Sequence, residues 1–505
     1  MKRLGIVLLL FFLSIVHLFG QNLLPRSTPA QEGVNPAAIA AFIDAAENSP
    51  HEFHSLMILR HGKVITEAWW APYASELKHT MYSVSKSFTA TAIGFAVSEG
   101  KLSVNDKVLS FFPNHKPKDA SVHLEALRVK DLLTMSVGHE NDPTGKVVSS
   151  EDWVKTFLEI PIPYEPGTKF LYNTAATYML SAILHQVTRE KLLDYLKPRL
   201  FDPLGIVQAD WEVDPDGVNV GGYGLRLKTE DMAKFGQLFL QNGKWQFQQI
   251  IPAAWIEEAS SLKILQDPDA PQDKVAQSDW LQGYAYQMWR SRHNSYRADG
   301  AFGQYILILP EQDAVIAITS ETSDMQGALN LVWDYLLPAF DNIQHGPNNI
   351  LKNKVKQVNI KPLGENREMD MEGKITGQLF ETAGQSLSLE FADDRLVLHL
   401  VEGAASYSLS FGSGAWLLGE TDKKGPYLVA AAKGYLAGLE PYKVAGSFTW
   451  TDGRTLELHL RYVESPHTEI LRIKFENGNA LMEISNSFNQ QKIQRTYSIA
   501  VAEEV

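Results

Sequence analysis

Two hairpin patterns, one near residue 60 and the other near residue 310, constrain this chain more than any other feature. Apolar, β-rich runs at 55–60 and 64–69 flank His61-Gly62-Lys63, and runs at 305–309 and 314–318 flank Pro310-Glu311-Gln312-Asp313. Between them the periodicity is helical, at 85–99, 129–135, 174–186 and 229–241, with a further helix near 328–337. Both ends of region 25–340 therefore belong to one antiparallel sheet, and the helices form a large insertion, an α/β (α+β) arrangement. A polar stretch at 341–374, with Gly346-Pro347-Asn348-Asn349, has the composition of a linker. From 375 the period shortens. Alternating runs recur at 387–391, 396–400, 407–411, 456–462, 470–475 and 497–501. Region 375–505 reads as an all-β sandwich or barrel.

The first twenty residues read as an address. Lys2 and Arg3 precede an apolar run that ends at Gly20, before the chain turns polar at Gln21. Charge, short apolar run and small residue make a cleavable signal peptide over 1–20, so the expectation is a periplasmic or secreted protein without a transmembrane anchor after cleavage. The net charge of −13 argues against nucleic-acid binding, which needs a basic face. With no cysteine among 505 residues, disulfides, thiolate metal sites and a cysteine nucleophile are excluded.

A nucleophile must then be a hydroxyl or a carboxylate. Neither a Gly-x-Ser-x-Gly elbow nor a His-Glu-x-x-His zinc helix occurs. Ser-x-x-Lys occurs at Ser75/Lys78, Ser83/Lys86, Ser98/Lys101 and Ser260/Lys263. Only Ser83-Val84-Ser85-Lys86 opens a long, nearly uncharged helix, of the kind that is buried. Residues three apart share a helix face, so Lys86 can reach the Ser83 hydroxyl. Burial and the positive helix start both lower a lysine pKa, and a neutral amine can take the proton from Ser83. The competing reading is a plain N-cap serine with a solvated lysine.

Met81-Tyr82-Ser83-Val84-Ser85-Lys86 resembles the nucleophile segment of the serine β-lactamase and D-alanyl-peptidase superfamily, in its class C-like and esterase branch. Leu132-Leu133-Thr134-Met135-Ser136-Val137-Gly138, Tyr172-Asn173-Thr174, Gly221-Gly222 and Asp299-Gly300-Ala301 follow in the matching order over roughly 35–340. The resemblance implies a DD-peptidase/β-lactamase-like domain and a serine hydrolase that needs no cofactor and no metal. It implies Ser83 as acylated nucleophile, Lys86 as base, Tyr172 as proton donor, and the N–H groups of Ser83 and Ala301 as oxyanion hole. Asn173, Thr174, Ala298 and Gly300 would line the substrate. Two departures stand out: Thr174 replaces an amide, and Ala298 stands where a cation belongs. Both weigh against β-lactams and free carboxylates, so the expected substrate is a small neutral ester or amide, or a peptide-like molecule. A non-catalytic ligand-binding relative, or a true β-lactamase or D-aminopeptidase, is the alternative.

Overall fold

The computed structural model describes residues 23–341, 348–489 and 491–500, so the expected signal segment 1–20 lies outside the described residues. The two distant hairpins meet as expected. The strand Glu52–Arg60 pairs antiparallel with Lys63–Trp69 on one side and with Ala314–Glu321 on the other, where Leu56 faces Ile318. Gln304–Leu309, Tyr296–Gly300 and Trp289–Arg290 complete a six-stranded sheet.

Both faces of this sheet are covered. Tyr305, Leu307 and Leu309 point into one core with Ile39, Phe42 and Ile43 of the helix Pro36–Glu47, while Ile306 and Ile308 point into the other. Burial on both faces explains why these strands read as continuous apolar runs rather than as alternation. On the second face Thr229–Leu240 lies so close that a Cβ on Gly236 would come within 2.6 Å of Val315. The helical insertion is centred on Ser85–Ser98, packed against Thr174–Thr188. Every residue of the former from Ser85 to Ala96 is buried, which its lack of charge anticipated.

The C-terminal region is a barrel, which resolves the choice between sandwich and barrel. Ten strands form one sheet, and it closes where Gly412-Ser413 pairs in parallel with Ser447-Phe448. Closure leaves fewer open edges. The interior is filled by Leu387, Leu389, Leu398, Phe411, Trp450, Leu458 and Ile473 among others. The strand Tyr442–Asp452 escaped the sequence pattern because it is buried on both faces along most of its length. Asn479–Asn486 escaped because Ala, Leu, Met and Glu are helix formers that its sheet neighbours overrule.

The barrel is docked on the front region. Arg461 forks onto Glu52 at 2.6 and 3.1 Å, Arg226 bonds Asp210 and reaches Glu464 at 3.3 Å, and the Tyr73 hydroxyl donates to the Ser465 carbonyl. Glu212, buried, accepts from the Tyr427 hydroxyl and from Leu436 N. From Leu351 onward the expected linker is anchored at several points. Leu351 and Val358 join the core under Pro36–Glu47, and Ile360 N donates to the Ala71 carbonyl at 2.7 Å. The helix Met369–Ile375 belongs to the barrel, its Glu372 accepting from Trp450 Nε1 at 2.8 Å.

Candidate active site

Ser83 lies in the turn Tyr82–Val84 that feeds the buried helix Ser85–Ser98, and it stays partly exposed while its neighbours are buried. Tyr82 takes a left-handed conformation, φ 45°, which costs a large side chain about 1–3 kcal/mol and persists only where the surroundings hold it. One helical turn on, Lys86 is 1% exposed. Its Nζ touches three oxygens: Ser83 Oγ at 3.0 Å, Thr174 Oγ1 at 3.1 Å and the Gly222 carbonyl at 2.7 Å. None carries a charge. Burial pulls the amine from 10.5 down to about 7, against the weaker upward pull of Asp142 and Asp299. A neutral amine has two N–H groups for Gly222 and Thr174 and one lone pair for the Ser83 hydroxyl.

The other three Ser-x-x-Lys pairs do not meet. Lys78 pairs with Asp210, Lys101 with Glu99 and Lys263 with Glu258, while Ser98 and Ser260 bond carbonyls of their own helices.

Tyr172 comes to the same point from the loop before Thr174–Thr188. Its ring centroid is 5.0 Å from Lys86 Nζ, and Trp289 stacks on it at 5.4 Å. Burial, then the nearby Asp299 charge, pushes the phenol well above its usual value, with a hydrogen bond to Ser83 acting the other way. Tyr172 therefore holds its proton at any ordinary pH. Gly300 ends the strand Tyr296–Gly300 directly against the serine turn. A Cβ there would stand 2.2 Å from Met81 O and 3.2 Å from Ser83 N, so only glycine permits the approach. Ala301 follows in a turn fixed by Gly303 N donating to Gly300 O and Gln304 Nε2 donating to Ala301 O at 3.0 Å.

Two of the expected substrate residues are buried. Asn173 is fully buried and caps Thr174–Thr188, its Oδ1 accepting from Ala176 N at 3.0 Å and its Nδ2 lying 3.0 Å from His139. Ala298 is 1% exposed and part of the apolar core. Thr174, by contrast, is half-buried beside Lys86. Strand alternation sends Arg297 to the opposite face, where its guanidinium pairs with Asp299 at 2.8 Å over the Trp280 ring. Arg292 is held by Asp279 and Asn330, and Arg290 by the Ser260 carbonyl and Asn294. The Gly222 carbonyl and the charges of Asp142 and Asp299 act on the site; Gly222 and Asp299 lie in segments the ordered motifs singled out, without these roles, and Asp142 does not. A hydroxyl beside a deprotonable amine, with a retained phenol proton at hand, is equipped for acyl transfer.

A family model described as Beta-lactamase matches residues 54–337. The 6-aminohexanoate-dimer hydrolase of Paenarthrobacter ureafaciens is 25% identical over 59% of this chain and 80% of its own length. A protein of Salmonella agona provisionally named D-alanyl-D-alanine carboxypeptidase is 28% identical, but the match spans only 30% of this chain and 41% of that protein. The crystal structure of a provisionally assigned β-lactamase from Bacteroides dorei DSM 17855 superposes with TM-score 0.53 at 16% identity, over 61% of this chain and 100% of the other, which shows a shared fold.

Proposed function

Because the chain belongs to the beta-lactamase family of serine hydrolases, we propose that it is an exported enzyme cleaving neutral esters or amides through an acyl-enzyme on Ser83. The observation that carries this reading is Lys86: buried, 3.0 Å from Ser83 Oγ, and drawn down to about 7. The neutral amine accepts the hydroxyl proton as Ser83 Oγ attacks the substrate carbonyl. The oxyanion that forms is held between the backbone N–H groups of Ser83 and Ala301. Tyr172, still protonated, gives its proton to the departing alkoxide or amine and recovers one from Lys86. Water, deprotonated along the same path, then releases the acid and regenerates the serine.

The preference for neutral substrates follows from charge. Ala298 supplies no cation, Arg290 and Arg292 are engaged elsewhere, and the charge of Arg297 is matched by its partner Asp299. Asp142 and Asp299 add negative potential at Lys86 and Tyr172, which Arg297 offsets in part at Tyr172. A carboxylate entering such a cleft is desolvated without a partner. The relative named for a 6-aminohexanoate dimer is consistent with amide cleavage by this arrangement. Export rests on Lys2, Arg3 and the apolar run to Gly20.

Intact-mass spectrometry after exposure to a fluorophosphonate tests the assignment. Phosphonylation with loss of fluoride is expected on the wild-type chain and absent from Ser83→Ala. An adduct that persists in that variant refutes the nucleophile. A folded wild-type protein that takes no adduct supports the ligand-binding alternative.

A further inference from the structure

Tyr82 and Phe302 bracket the two backbone groups assigned to the oxyanion. Tyr82 precedes Ser83, and Phe302 follows Ala301. Both are aromatic residues in left-handed conformation, φ 45° and 67°, which bulky side chains adopt only under external constraint. Much of that constraint comes from the barrel.

The Tyr82 hydroxyl donates to His467 Nε2 at 2.6 Å, and His467 Nδ1 lies 2.6 Å from Glu321 Oε1. A neutral imidazole with its proton on Nδ1 satisfies both contacts at once. Ser487 Oγ also donates to Glu321, at 2.7 Å. Phe302 packs against both partners of this bond: its ring is edge-on to His467 at 4.7 Å, lies 5.6 Å from the Tyr82 ring and 5.2 Å from Phe488. Tyr427, also from the barrel region, stacks on Tyr82 at 5.5 Å. His467 stands in the loop between the barrel strands Thr455–Tyr462 and Thr468–Glu476, with its side chain fully buried.

We propose that His467 is a positioning residue: by gripping Tyr82 and Phe302 together it sets the separation of the Ser83 and Ala301 N–H groups, so that the barrel is a working part of the hydrolytic site. The inference rests on the acyl-enzyme reading above. The barrel then acts on transition-state stabilisation more than on substrate binding, because the two donors serve the oxyanion and not the ground-state carbonyl.

The test uses the full chain and reads two quantities. One is the second-order rate of fluorophosphonate labelling; the other is kcat and KM for p-nitrophenyl butyrate. His467→Leu is expected to slow labelling and kcat by about ten- to a hundred-fold, with KM within about twofold. Tyr82→Phe, which keeps the ring but loses the hydroxyl, is expected to slow them by a smaller factor. The double variant should be no slower than His467→Leu alone, because both changes remove one contact. Leu398→Ala, inside the barrel, should lower Tm yet leave both rates unchanged below it. If His467→Leu fails to fold, the comparison of Tyr82→Phe with Leu398→Ala stands in its place. Rates in the brace variants that match wild type or Leu398→Ala, or effects that multiply in the double variant, overturn the proposal. Labelling that survives Ser83→Ala instead sinks the nucleophile assignment, and the brace with it.

Discussion

At the scale of single residues the site turns on how few charges surround Lys86. An ammonium there would be desolvated with only neutral oxygens in contact, and this burial brings it to about 7. The activity of the amine as a base should therefore rise with pH through about 7 and level off above 8, measured as kcat/KM for a neutral ester; a profile flat from pH 5 to 9 would exclude Lys86 as the base. Stability carries the same signature. In the unfolded chain the amine keeps its proton up to about 10.5, so between pH 7 and 10.5 the unfolded state binds more protons and stability rises with pH. Lys86→Met should remove that slope, read as the difference in unfolding free energy between pH 7 and 9. Charge at the site also bears on the choice of substrate. For a matched free acid and methyl ester, the ester should have the larger kcat/KM, by about ten- to a hundred-fold, the value of one absent charge-assisted hydrogen bond. A faster free acid would mean that a cation does reach the cleft.

At the scale of elements, backbone proximity is what brings distant segments to the serine. Strand Tyr296–Gly300 and turn Tyr82–Val84 approach so closely that Gly300→Ala would force a Cβ to 2.2 Å from a backbone oxygen that cannot swing aside. The expected outcome is at least a hundred-fold loss of labelling rate with the circular dichroism of the fold retained, since one displaced oxyanion donor costs about 3–4 kcal/mol. Wild-type labelling in this variant would show that the strand end has room to spare. Asn173 belongs to the same scale for a different reason. It caps the helix that carries Thr174, so Asn173→Ala should lower stability by about 1–2 kcal/mol in denaturant titration. KM for the ester should stay within about twofold, because the side chain is fully buried; a large rise in KM would return it to the substrate.

At the scale of the whole molecule the barrel and the front region share buried contacts of several kinds. Arg461 with Glu52 and Arg226 with Glu464 are ion pairs whose arginines are each about 6% exposed, and Tyr427, Leu436 and Leu439 belong to the same apolar cluster as Met81 and Tyr82. Salt screens exposed charges far more than buried apolar contact. If a site-specific protease sequence is placed between Asp341 and Asn348 and cut, the two pieces should still co-elute on size exclusion in about 0.5 M salt. Separate elution would show that chain continuity, and not the interface, holds them together.

The order of residues is enough for what depends on near neighbours. It predicted the hairpins about residues 60 and 310, the all-β period after 375, and the buried helix that follows Ser83. Local spacing also placed Lys86 one turn from Ser83, because helix geometry is the same everywhere. Packing in three dimensions settled what depends on chain segments far apart. It closed the barrel through two residue pairs, 412–413 with 447–448. It buried Ala298 and turned Asn173 into a cap. It brought the Gly222 carbonyl to Lys86, and it set His467 of the barrel against the residue before the nucleophile. Periodicity records which side of an element faces inward, but not which partner waits there, and these contacts are fixed by partners up to 385 residues away.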